Sequence, residues 1–134
     1  MTINQELSLL VREHLHDDVQ QLALQRNRYP QLSDADFRFL LQQIDGFQRT
    51  KDKLPSIAKI ENWWYPVRLS CEQCSSEATA LYKTKIINRL GISKLIDLTG
   101  GYGIDSFFIS EHVKEADYVE RNPELCAIAA HNFA

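Results

Sequence analysis

The sequence predicts a mainly α-helical N-terminal unit over residues 1–66, followed over 67–134 by the opening βαβα portion of a parallel, doubly wound α/β sheet. Three observations predict it. Apolar residues recur at three- and four-residue spacing through the first half, the stripe of amphipathic helices. Past residue 92, two short apolar runs at 93–98 and 116–120 are each followed by a helical pattern. Between the runs lies Thr99-Gly100-Gly101-Tyr102-Gly103, a glycine-rich turn that follows a strand and opens a helix.

Taken in order, Leu7, Leu10, Val11, His14, Leu15, Val19 and Leu22 form the apolar stripe of a first helix, which fades before Tyr29-Pro30. Ser33 reads as the N-cap of a second helix, with Asp36 three residues on. Phe37, Leu40, Leu41 and Ile44 supply its buried face, and Gly46 is a natural stop. A third, short helix is expected from Leu54-Pro55, with Ile57, Ile60 and Trp64 apolar, ending before Tyr65-Pro66. Ser75 to Lys83 opens a further helix that runs to Leu90-Gly91. The first strand ends in the glycine turn, and Ile104, Phe107, Phe108 and Ile109 continue a helix to about His112. After the second strand, Asn122-Pro123-Glu124 is a strong helix start, with Leu125, Ile128, Ala129 and Phe133 on the apolar face.

Composition sets the class. The chain has 134 residues, 44% hydrophobic and 25% charged, which is globular and not disordered. It has no apolar run of membrane-spanning length and no charged-then-apolar start of a secretory signal. Three cysteines build no disulfide framework, so a reduced, cytoplasmic protein is expected. The net charge of −3 is unevenly spread. Residues 1–48 carry four basic and seven acidic side chains, 49–94 nine against four, and 95–134 two against seven. The basic middle, with Lys51, Lys53, Lys59 and Arg68, is a candidate footprint for a polyanion.

The glycine turn carries the chemistry. Glycines allow close backbone approach to a ligand, and unpaired N–H groups at a helix start point into the same space. Glu120 ends the second strand at the spacing from which an acidic side chain reaches ribose hydroxyls. A nucleoside-containing ligand follows. Gly101-Tyr102-Gly103-Ile104-Asp105-Ser106 is one residue away from the dinucleotide fingerprint, so a nicotinamide dinucleotide is one alternative. Asp97, at the end of the first strand, would repel a pyrophosphate. It suits a ligand bearing an ammonium and a sulfonium, as S-adenosylmethionine does, and the electrostatics favour that cofactor.

The run Ile96-Asp97-Leu98-Thr99-Gly100-Gly101-Tyr102-Gly103-Ile104-Asp105 resembles motif I of class I S-adenosylmethionine-dependent methyltransferases. Val119-Glu120-Arg121-Asn122-Pro123 resembles their motif II. Together the two are similar to small-subunit rRNA guanine (exocyclic amine) methyltransferases. The stretch from Cys71 to Lys83 resembles the segment upstream of motif I in a bacterial methyltransferase family with a C-terminal THUMP-like domain. The resemblance covers about 70–134. It implies a Rossmann-like α/β methyltransferase domain, incomplete here, with Asp97, Gly101, Gly103 and Glu120 lining the cofactor pocket. Thr99, Gly100, Tyr102, Asp105 and Arg121 would lie near them. Thr99 departs from the commoner glycine at the first loop position.

The family's acceptor-side motif, often Asp/Asn-Pro-Pro-Tyr-like, would come after residue 134. The chain is therefore expected to be the truncated N-terminal part of a longer methyltransferase acting on an rRNA or tRNA base nitrogen. Such a piece would be inactive alone, with its catalytic residues unassigned and an unpaired sheet edge open to self-association. RNA is the expected partner, placed by the helical unit. The other readings are an NAD-dependent oxidoreductase fragment and a non-catalytic RNA-binding or assembly module.

Other candidates carry less. Cys71-x-x-Cys74 lacks a second ligand pair for zinc, and a redox pair would sit directly after a strand, so it reads as a loop pair. Ser75, Ser76 and Thr79 read as helix-capping residues. Trp63-Trp64-Tyr65 reads as helix closure against a core, with nucleobase stacking as its functional alternative. His14 and His16 read as one partly buried and one surface histidine. No Ser/His/Asp or paired-carboxylate constellation argues for hydrolysis.

Overall fold

The computed structural model describes residues 5–134. Residues 1–4, part of the start read above as lacking a secretory signal, lie outside them. No helix among the described residues is long and apolar enough to cross a membrane.

Helices α1 (Gln5–His14), α2 (Val19–Ala23) and α3 (Asp34–Thr50) build the N-terminal layer. The expected first helix is broken in two. The Asp18 side chain accepts from the Gln20 and Gln21 N–H groups and caps α2, while Asp17 meets the His14 ring at 2.6 Å. These short side chains satisfy backbone and ring donors at the corner and so compete with helix continuation. Ser33 caps α3 as expected, accepting from the Asp36 N–H. Gly46, read as a stop, lies inside α3 instead. A Cβ there would meet the Tyr65 Cβ at 2.3 Å, so this glycine admits a neighbouring segment.

The expected third helix shrinks to a single 3-10 turn, Ile57–Lys59. The chain then runs extended through Trp63, Trp64 and Tyr65, because side chains take its backbone bonds. Gln43 accepts from the Tyr65 N–H at 2.7 Å, and both Gln42 and Gln43 donate to the Tyr65 carbonyl at 3.0 Å. A helix with no sequence signal, α4 (Arg68–Gln73), follows, so Cys71 lies on a helix and Cys74 is its C-cap. This corrects the loop reading of that pair. Helix α5 (Glu77–Arg89) starts from the Ser76 cap.

Strand β1 (Lys94–Asp97), helix α6 (Ile104–Ser110), strand β2 (Glu115–Tyr118) and helix α7 (Pro123–Asn132) complete the order. The strands pair in parallel, Lys94 beside Glu115 through Asp97 beside Tyr118. Ile96 and Leu98 are 60% and 73% exposed, on a face that parallel sheets ordinarily cover.

Two clusters of buried side chains hold the layers. One joins Leu7, Leu22 and Leu32 to the α3 face at Phe37, Leu40 and Ile44. The other joins Phe47, Leu54, Ile57, Trp63 and Tyr65 to Cys71, Ala80, Tyr102, Ile104, Phe108 and Ile128. The second cluster crosses position 66, so helical unit and α/β unit share a core.

Candidate functional site at the glycine loop

The loop between β1 and α6 is held by the ends of both strands. Gly100 N–H donates to the Val119 carbonyl at 2.9 Å, and Val119 N–H donates to the Asp97 carbonyl at 2.8 Å. Gly101 and Gly103 have φ of 54° and 86°, values that L side chains rarely adopt. The two differ in surroundings. A Cβ on Gly103 would strike the Phe133 ring at 2.6 Å, whereas one on Gly101 would meet nothing nearer than the Thr99 carbonyl at 3.9 Å. The Gly101 side of the loop is open.

Two carboxylates flank that opening. Asp97 Oδ1 accepts from the Thr99 N–H at 3.1 Å and Oδ2 from the Ser106 hydroxyl at 2.9 Å. Glu120 Oε2 accepts from the Gly101 N–H at 2.8 Å and Oε1 from the Asn122 N–H at 2.9 Å. Donation from Asn122 and then Gly101 holds the Glu120 carboxyl below its ordinary pKa. A carboxylate has about four acceptor positions, so each of these retains capacity for a ligand's donors.

The remaining predicted residues scatter around this pair. Thr99 and Gly100 form the loop's first step, and a Cβ on Gly100 would lie inside the Tyr118 ring. Arg121 is exposed beside Glu120. Asp105 turns from the loop toward α5, where Lys83 meets its Oδ2 at 2.9 Å and the Ser75 hydroxyl donates to it at 3.0 Å. The Tyr102 side chain is not on the pocket wall. It is buried, accepting from the Trp63 indole N–H at 2.6 Å and donating to the Trp64 carbonyl, so only its backbone faces the loop. Its aromatic character, in a loop otherwise small and polar, is the signal that marks it as an anchor.

The four cations of the basic middle are not equivalent. Lys53 donates to the Cys71 and Glu72 carbonyls at the end of α4, and Arg68 pairs with Glu72 at 2.9 Å. Lys51 and Lys59 are exposed, with no ion pair among the described residues. No group of three or more His, Cys, Asp or Glu is placed to hold a metal ion among the described residues. Burial, then Cys74, pushes the Cys71 thiol up to about 12.

No family model and no curated protein matches this chain. A crystal structure from Porphyromonas gingivalis W83, of a protein provisionally described as a methyltransferase, superposes on 99% of it with a TM-score of 0.75 at 26% identity. The fold is accordingly that of a methyltransferase, mostly helical with a small parallel sheet. The chain spans 33% of the length of that protein.

Proposed function

We propose that the chain is the N-terminal part of an S-adenosylmethionine-dependent methyltransferase that acts on a base nitrogen of RNA. The observation that carries the cofactor is what the loop's N–H groups already hold. A dinucleotide's pyrophosphate would need them, yet Thr99 and Gly101 N–H are spent on the carboxylates of Asp97 and Glu120. Ser106, standing where the dinucleotide fingerprint has its third glycine, uses its hydroxyl to fix Asp97.

The residues fit S-adenosylmethionine. Glu120 offers its remaining acceptor positions to a ribose diol, and Asp97 gives a positively charged methionyl end a carboxylate in place of a repelling cation. The open side of Gly101 leaves room for close approach. When bound, this cofactor supplies an electrophilic methyl group. The chain's own part is to hold it in line for an incoming nitrogen, which is catalysis by positioning. RNA as acceptor rests on the family resemblance and on the exposed Lys51 and Lys59.

Calorimetric titration tests the cofactor. S-adenosylmethionine should bind, NAD should not, and Asp97→Asn and Glu120→Gln should each weaken binding by about tenfold or more, as loss of a charged hydrogen-bond partner does. Binding of NAD in preference, or equal affinity in both variants, would sink the assignment.

A further inference from the structure

The Trp63 ring is buried against Tyr102 and Phe107, yet the Trp63-Trp64 pair also lines a cavity of about 400 Å³ between α1 and the 58–62 segment. Phe39 and Phe47 of α3 line it as well. Packing voids in a folded interior seldom exceed a water molecule, whereas small-ligand sites begin at about 300 Å³. This space is therefore of binding-site size.

Its aromatic wall is fixed in advance. Trp64 is stacked on His131 with centroids 3.8 Å apart and has Phe39 edge-on at 5.4 Å. Asn132 grips the Trp64 backbone at both ends, accepting from its N–H at 2.8 Å and donating to its carbonyl at 2.9 Å. The rim is fixed too. Asn62 has a φ of 58°, its side chain accepts from the Ser8 hydroxyl at 2.7 Å, and its carbonyl meets His131 Nε2 at 2.7 Å.

Charge at the mouth selects the occupant. Arg12 and Lys59 stand there, Arg12 paired with Glu61 at 3.0 Å and Lys59 exposed with no ion pair among the described residues. The rim is thus net positive on a helical unit that is otherwise acidic. Aromatic side chains around a space behind a cationic mouth suit an unstacked base and its neighbouring phosphate. The geometry points to this cavity as a site for a single nucleobase of a single-stranded nucleic acid, with Lys59 at the flanking phosphate. The inference rests on the RNA half of the function proposed above and is independent of its cofactor half.

The test uses a six-nucleotide oligouridylate, its abasic counterpart and an aromatic-rich peptide, all without S-adenosylmethionine, read by binding isotherms and by the indole N–H signals of Trp63 and Trp64. Oligouridylate should bind and move the Trp64 signal, and the abasic strand should bind about tenfold more weakly or worse, the scale of one base–aromatic stack. Ser8→Trp, which fills the mouth, should bring the same loss with helix content unchanged. Lys59→Ala, an exposed change that leaves the fold intact, should lower the salt slope by about one phosphate contact. Equal binding of the abasic strand, unmoved indole signals, no oligonucleotide binding, or preference for the peptide would each overturn the proposal. A failed S-adenosylmethionine titration alongside a positive result here would reject the cofactor and keep the base site.

Discussion

Alanine at Gly100 tests whether the loop is built around the Tyr118 ring. A Cβ there would lie 2.1 Å from Tyr118 Cε2 and 2.4 Å from Cδ2, so the ring must leave its place. Its hydroxyl, which donates to the Gly101 carbonyl, would leave with it. Overpacking of this kind costs about 1–3 kcal/mol, and the lost hydrogen bond adds about 1. Gly100→Ala should therefore destabilise by about 2–4 kcal/mol, a drop in Tm on the order of 10 °C for a domain of this size. Gly101→Ala is the control. It meets open space and carries only the left-handed backbone cost of about 1–2 kcal/mol. Urea unfolding followed by circular dichroism measures both, alone and with Tyr118→Ala. Removing the ring should erase most of the Gly100→Ala penalty and leave the Gly101→Ala penalty unchanged. A Gly100→Ala cost no larger than that of Gly101→Ala, or one indifferent to Tyr118, would refute the steric argument.

Other outcomes are as definite. Tyr102→Phe leaves the buried Trp63 indole N–H without its acceptor and should cost about 1–3 kcal/mol in thermal unfolding, with the Trp63 indole signal shifted. Because the folded Glu120 pKa lies below its ordinary 4.5, its clasp on the loop is complete above that value and is lost as pH falls through the lower one. The Gly101 amide signal should accordingly stay flat from neutral pH down to about 4.5 and move only below it, and movement at higher pH would contradict the clasp. Cys71 is 1% exposed with its thiol pushed up to about 12, so iodoacetamide at pH 8 should leave it unmodified in the native protein and alkylate it only after unfolding, as peptide mapping would show.

What could be read from the sequence was what is decided within a turn or two of chain. Ser33, Ser76 and Asn122 cap the helices that follow them, because an N-cap bonds its own N–H groups two or three residues on. The strand–glycine turn–helix–strand order was legible for the same reason, although β2 ends at Tyr118, so that Glu120 lies just past the strand rather than at its end. Gly46 reads as a stop because what it admits, Tyr65, is distant in sequence, and a glycine making room looks like a glycine ending a helix. The helix lost after Pro55 was traded for side-chain bonds from Gln42 and Gln43, which no periodicity records. Arg68–Gln73 carries no sequence signal because six residues with one buried side chain make no stripe. Lys53 resembled a surface cation until the α4 carbonyls were placed beside it.

The Asn132 grip on Trp64 sets a clock on synthesis. It joins residues 68 apart in sequence, and its neighbour His131 reaches back 69 to Asn62. Such long-range closures form late, after the intervening loop entropy has been overcome. While the chain emerges from the ribosome, the Trp63-Trp64 segment must wait with part of its aromatic surface uncovered until α7 arrives. The N-terminal helices can begin early on local contacts, but their last wall is delivered by α7.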